Sequence, residues 1–189
     1  HLFSGDIRPS QIPHIQNIKI DMLDRELLND ALENFDLVVN LVGQIADPFY
    51  LTLDLNTTGM FNLAEAVRRA GATLVHISSV SVYGSADSCD ETSPLNPETS
   101  YATAKASAER ILMNGVDPLD LTILRLSNLY GYGQVKGVVA YLMRSFLGDQ
   151  QLYFNNAGDL IRNYLHTEDC VGVIRELIQS REGYGVYNI

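Results

Sequence analysis

Residues 101–110 read YATAKASAER, with a tyrosine and a lysine four places apart inside a run of helix-forming residues. On a helix, positions i and i+4 lie on one face, so Tyr101 and Lys105 would project together. A lysine ammonium beside a phenol favours the phenolate. That is one way a tyrosine, with an ordinary pKa of about 10, becomes a usable general base. Ten tyrosines in the chain make such a pair possible by chance, so its neighbours must decide. A second candidate group is HISSVSVYG (76–84), which sets Ser78 and Ser79 where an apolar run ends. The carboxyl ends of strands are where ligands bind in an open α/β sheet, and a serine there can hydrogen-bond a reacting oxygen.

The elements that would position these groups alternate between short apolar runs and amphipathic segments, the pattern of a parallel sheet flanked by helices. HLFS (1–4) and IKI (18–20) read as short strands, and DRELLNDALEN (24–34) as a helix with Asp24 as its N-cap. DLVVNLV (36–42) has the continuous apolar character of a strand buried on both faces. Residues 53–70 predict one long helix stopped by Gly71, and TLVHIS (73–78) the next strand. A loop rich in Ser, Asp and Pro fills 84–98, and the helix carrying Tyr101 and Lys105 runs to about Asn114. DLTILRL (120–126) predicts a strand, GVVAYLMRSFL (137–147) a helix and QLYF (151–154) a short strand. Thr167, Glu168 and Asp169 make an acidic start to a last helix reaching about Arg181. The sum is a doubly wound α/β fold of the kind that binds nucleotides.

Bulk properties narrow the partners. The net charge of −10 argues against nucleic acid, while ten arginines remain for local phosphate contacts. The apolar runs are far short of a membrane span, and HLFSGDIRPS lacks the flank and core of a signal peptide. Two cysteines, Cys89 and Cys170, form neither a disulfide framework nor a metal quartet, which predicts a reducing, cytoplasmic setting. His76 reads as a packed strand histidine and His166 as part of the start of the last helix, neither with metal-ligand company.

Taken in order, SSVSVYG, YATAK, LRLSNLYGYGQ (124–134), RNYLHTEDC (162–170) and VYNI (186–189) resemble the extended short-chain dehydrogenase/reductases, and within them the NAD-dependent nucleotide-sugar epimerase/dehydratase family, with UDP-glucose 4-epimerase-like character. The resemblance implies a Rossmann-like fold with a small C-terminal substrate-binding part. It divides the chain into an NAD-binding domain at 1–133, a mostly substrate-binding segment at 134–165, and a return helix and strand at 166–189. It implies Ser79, Tyr101 and Lys105 as the catalytic residues, with Lys105 and a bound nicotinamide stabilising the Tyr101 phenolate. As cofactor contacts it implies Asp6, on the adenosine ribose, then Asp21 and Met22 beside adenine, Leu41, Val42 and Gly43 along the cofactor, and Asn56, for which helix capping is an equal alternative. Asp6 favours NAD, whereas Arg8 keeps NADP open. Asn128 and Arg162 match nucleotide-sugar contacts, Arg162 on the diphosphate. A homodimer through the helices at 53–70 and 99–114 is a further family expectation.

The family's sugar 4,6-dehydratases carry an acidic pair directly after the catalytic threonine, where this chain has Val80 and Ser81. The resemblance therefore favours epimerisation through a 4-keto intermediate. The alternatives are an NAD(P)H-dependent 4-ketoreductase, then a dehydratase or a non-catalytic cofactor-binding member. No G-x-x-G-x-x-G or G-x-G-x-x-G follows a first strand, and GYGQVKG (131–137) reads as a loop. The family's first strand would lie between the strands at 1–4 and 36–42. The expectation is that an N-terminal βα unit with the glycine-rich loop, and a piece after VYNI, are absent from this chain.

Overall fold

The computed structural model describes residues 3–6, 14–43, 48–86, 88–148, 151–154, 161–180 and 184–189. They fall into two compact units: His1–Arg125 with Tyr184–Asn188, and Leu126–Gly183 with Ile189.

The first unit opens with β1 (Phe3–Asp6) and β2 (Gln16–Lys19), paired in parallel from Phe3↔Gln16 to Asp6↔Lys19. Helix α1 (Arg25–Leu32) follows, and the Asp24 side chain accepts from the Leu27 N–H at 3.0 Å, the N-cap its sequence position predicts. A four-stranded sheet holds β3 (Leu37–Asn40), β4 (Thr73–Ser79), β5 (Leu121–Leu126) and β8 (Gly185–Asn188) in that order. The pairs β3–β4 and β5–β8 are parallel. β1 and β3, expected to flank one further strand, belong to separate sheets among the described residues.

The expected single helix at 53–70 is two helices. α2 (Phe49–Asn56) and α3 (Thr58–Ala70) are separated by Thr57, whose φ of −119° and ψ of −82° leave the helical region. The Thr57 N–H and hydroxyl both donate to the Leu53 carbonyl, at 2.8 and 2.7 Å, so this threonine closes α2 while opening α3. α3 ends at Gly71, whose φ of 64° is the left-handed conformation that stops helices. α4 (Ser100–Gly115) packs on α2, α3 and β4, and α3 also packs on α1. The apolar faces of α1, α3 and α4 meet β4 and β5 in one core, where Met60, Val67, Leu74, Leu112 and Ile123 are buried.

The second unit contains β6 (Asn128–Tyr130), α5 (Val138–Leu147), β7 (Tyr164–His166) and α6 (Thr167–Ser180), with β6 and β7 parallel. GYGQVKG is a loop, as read from its spacing. Gly131 there lies so close to the Thr167 side chain that a Cβ would collide with it. QLYF is not a strand. Its backbone is held by the Tyr141 hydroxyl, which accepts from the Tyr153 N–H at 2.8 Å, while the Tyr141 ring meets Phe154 edge-on. No helix among the described residues is long and apolar enough to cross a membrane.

Candidate active site

α4 starts where the candidate base sits. The Thr99 hydroxyl accepts from the Ala102 N–H at 3.1 Å and fixes the turn that carries Tyr101. Ala102, Ala104 and Ala108 are buried, and their small side chains let the helix approach β4 closely. One turn after Tyr101, Lys105 is only 4% exposed. Its Nζ donates to the Ile77 carbonyl at 3.0 Å and the Val42 carbonyl at 3.4 Å. The ammonium thus bridges the stretch after β3 and the last part of β4. Burial pulls its pKa down to about 8, against the opposing pull of the Glu109 charge. A Cβ on Gly43 would lie 3.2 Å from Nζ, so the glycine leaves the space the ammonium uses.

Ser79 is the last residue of β4 and caps the 3-10 turn Val80–Tyr83, its Oγ accepting from the Ser81 N–H at 3.2 Å. Its hydroxyl is also close enough to the Tyr101 phenol to favour the phenolate. The fold therefore brings Ser79, Tyr101 and Lys105 together at the carboxyl ends of β3 and β4. The stabilisation of the phenolate expected from Lys105 is outweighed in this structure. Burial pushes the Tyr101 phenol up from its ordinary value, and the Ser79 hydroxyl only partly opposes this. The physical reason is that the Lys105 ammonium is directed at two carbonyls, while the half-buried phenol loses the water that would solvate its anion.

The remaining implied cofactor residues are scattered along the first unit. Asp6 ends β1 and is exposed; Arg8 lies outside the described residues. Asp21 accepts from the Leu23 N–H at 2.9 Å. The Met22 side chain belongs to the core, and its carbonyl accepts from Asn62 at 2.9 Å. Leu41 is 70% exposed, whereas Val42 is half-buried. Asn56 requires a correction, because it does not cap a helix start. It is the last residue of α2, fully buried, donating to the Thr52 carbonyl at 2.8 Å with its Oδ1 unpartnered. His76 is a packed strand histidine, fully buried, with Nδ1 3.0 Å from the Asn40 amide. Burial, reinforced by the Lys105 charge, holds its pKa well below the ordinary histidine value.

In the second unit, Asn128 opens β6 opposite Tyr164, and its side-chain amide donates to the Asn163 carbonyl at 3.0 Å. Arg162 precedes that carbonyl by one residue and is exposed. The two implied substrate residues therefore lie at the same end of the β6–β7 pair. His166 ends β7, with its ring edge-on to Tyr130 at 5.1 Å.

Sequence reasoning missed a buried polar chain behind the site. Glu109 and Arg125 form an ion pair at 2.7 Å, with side chains 1% and 4% exposed. Ser78 donates to Glu109 at 2.5 Å, Arg125 donates to the Tyr83 hydroxyl at 2.5 Å, and Tyr83 donates to Asn188 at 2.8 Å. Two signals were available. Glu109 repeats the four-residue spacing of Tyr101 and Lys105, and Arg125 interrupts an apolar strand, where a buried charge needs a partner.

The family model described as the NAD dependent epimerase/dehydratase family matches residues 4–189. The chain is a member of the NAD dependent epimerase/dehydratase family. Among its relatives in that family, a dTDP-glucose 4,6-dehydratase of Mycobacterium tuberculosis is 29% identical over 180 residues, covering 87% of this chain and 54% of the relative. An N-acetyl-alpha-D-glucosaminyl-diphospho-ditrans,octacis-undecaprenol 4-epimerase of Escherichia coli O157:H7 is also 29% identical, covering 89% of this chain and 53% of the relative. The crystal structure of DesIV, a dTDP-glucose 4,6-dehydratase of Streptomyces venezuelae with NAD and TYD bound, superposes with a TM-score of 0.80 at 26% identity, covering 94% of this chain and 59% of that one. The chain thus spans about half the length of the curated relatives it matches. These neighbours are Rossmann-fold enzymes, and the epimerase/dehydratase family is NAD-dependent.

Proposed function

We propose that this protein is an NAD-dependent nucleotide-sugar 4-epimerase. The observation that carries the reading is the convergence of Ser79 and Tyr101 beside a Lys105 ammonium tied to the Ile77 carbonyl, two residues upstream of Ser79. The surroundings fit the nicotinamide end of the cofactor: Gly43 offers no Cβ beside Lys105, and the three polar side chains converge at the ends of parallel strands. Asp6, Asp21, Met22, Leu41, Val42, Gly43 and Asn56 are the proposed NAD contacts, with Tyr101 and Lys105 completing the set. When bound, NAD supplies an acceptor for hydride from the sugar's C4 and a donor for its return.

The chain's own residues handle the proton. Tyr101, its phenolate favoured by Ser79 and, once NAD is bound, by the positive charge the nicotinamide would supply, takes the proton from the C4 hydroxyl and gives it back to the same oxygen after the 4-keto sugar is reduced on its other face. Ser79 hydrogen-bonds that oxygen and holds it in line. Lys105 keeps positive charge near the site; with a pKa of about 8 it remains mostly ammonium at neutral pH. Asn128 and Arg162 are the proposed nucleotide-sugar contacts, the guanidinium pairing with diphosphate oxygens.

Dehydration is the second reading, favoured by the relatives named as 4,6-dehydratases. Against it, Val80 and Ser81 begin the turn after Ser79, and neither side chain can remove a C5 proton or protonate a leaving hydroxyl at C6. The apolar side chains of Leu53 and Phe61, exposed within residues 53–70, support the homodimer proposed through the helices at 53–70 and 99–114.

The test is incubation of the full-length protein with UDP-, GDP-, dTDP- and CDP-sugars, with products resolved by NMR. A C4 epimer formed without added cofactor supports the epimerase. Dependence on NAD(P)H would select the ketoreductase, and a 4-keto-6-deoxy sugar the dehydratase. Tyr101→Phe should remove turnover; unchanged turnover would end the enzymatic reading.

A further inference from the structure

We propose that Glu109 is a positioning residue, fastening the end of the strand that carries Ser79 to the helix that carries Tyr101 and Lys105. The inference rests on the roles given above to those three residues and adds a residue that touches neither substrate nor cofactor. Tyr101, Lys105 and Glu109 follow at four-residue intervals along α4 and share one face. Ser78 and Ser79 are adjacent at the end of β4, and each meets a different turn of α4. Ser79 turns towards Tyr101, while Ser78 turns inward and donates to Glu109 Oε1 at 2.5 Å. One bond thus ties the strand end to the helix directly behind the reacting groups.

Glu109 is itself held from a third side. Arg125 on β5 donates from Nε to both carboxylate oxygens at 3.1 and 3.2 Å, and from Nη2 to Oε2 at 2.7 Å. Its Nη1 reaches the Tyr83 hydroxyl, which donates on to Asn188 of β8. β4, the turn after it, β5 and β8 are thereby joined to one carboxylate. A buried ion pair contributes little net stability compared with apolar residues of the same volume, but it accepts only narrow geometry. That suits a group whose task is alignment. The Glu109 charge also favours the ammonium form of Lys105. Among the described residues, the titratable groups near Lys105 are Glu109 and Tyr101 on α4 and His76 from β4, and the stretch after β3 contributes the Val42 carbonyl.

The experiment compares the full-length protein with Glu109→Gln and Ser78→Ala. Selective 13C labelling of lysine follows the Lys105 titration, assigned by loss of its signal in Lys105→Arg; steady-state kinetics give kcat and KM. Glu109→Gln keeps the shape and a hydrogen-bonding oxygen but removes the charge. It should lower the Lys105 midpoint by about one unit, a tenfold change in proton affinity. It should also cut kcat by about tenfold or more, with KM within about twofold. Ser78→Ala leaves the ion pair whole, so it should lower kcat in the same manner without moving the midpoint. If Glu109→Gln does not fold, Ser78→Ala still decides, since an unchanged kcat there overturns the proposal. A Lys105 midpoint that stays in place in folded Glu109→Gln overturns it as well. Absence of turnover in the unsubstituted protein would sink the epimerase reading instead, while the midpoint comparison would still decide for Glu109.

Discussion

The Lys105 ammonium lies 3.0 Å from the Ile77 carbonyl oxygen, which ties the cation to the strand that ends at Ser79. The same contact explains why a lysine can be buried here, because two carbonyls replace part of its hydration. The replacement is incomplete, and the pKa falls from 10.5 to about 8.

That depression makes stability depend on pH. Between about pH 8 and 10.5 the unfolded chain binds a proton at this lysine that the folded protein does not. Stability therefore rises with pH across that window, and below it the full cost is present, at most about 3 kcal/mol. Urea denaturation of the protein and of Lys105→Met at several pH values should show this slope in the former and its loss in the latter. Equal slopes would contradict the burial argument.

His76 acts at the acid end. Its folded-state pKa is well below 6.5, so the unfolded chain takes up a proton first as pH falls. Its contribution is fully present above pH 6.5 and is lost below it. Thermal melts between pH 7 and 5 should show a shallower loss for His76→Gln than for the unsubstituted protein.

Gly43 faces the ammonium. In Gly43→Ala the new Cβ would sit 3.2 Å from Nζ, and the long bond to Val42 is the one that gives way. We expect kcat to fall by about tenfold, because small displacements of a charged group at a reacting centre are costly. Stability should change by less than about 1 kcal/mol, since Gly43 is exposed and its φ lies outside the left-handed region. Unaltered kinetics would show that the space beside Nζ is not used.

The Glu109–Arg125 pair predicts a non-additive cycle. Glu109→Ala leaves a guanidinium buried without its counter-charge and should destabilise by about 3–5 kcal/mol. Glu109→Leu with Arg125→Met removes both charges and should cost clearly less than the two single changes summed. Additive losses in chemical denaturation would mean that the two side chains do not depend on each other.

Much of the site was legible because its parts are local. Four-residue spacing sets Tyr101 and Lys105 on one face of α4, and the apolar run of β4 places Ser79 at a strand end. The same holds for the Asp24 cap and the Gly71 stop, each specified within a few residues. The break at Thr57 falls on Asn56, Thr57, Thr58 and Gly59, all poor helix formers, so a signal was present, but the helix formers on either side outweighed it and the interruption itself is a matter of backbone angles. Asn56 changed from a helix start to a helix end for the same reason.

The sequence by itself determined which side chains could meet along one helix or at one strand terminus, since those relations follow from the periods of regular backbone. Only the tertiary structure decided what surrounds them. The Ser78–Glu109 bond spans 31 positions, Glu109–Arg125 spans 16 and Tyr83–Asn188 spans 105. The upward shift of Tyr101 and the downward shift of Lys105 come from burial, which no local spacing encodes. Proton affinity depends on lost water and on partners brought from distant parts of the chain, and these exist only once the core has closed.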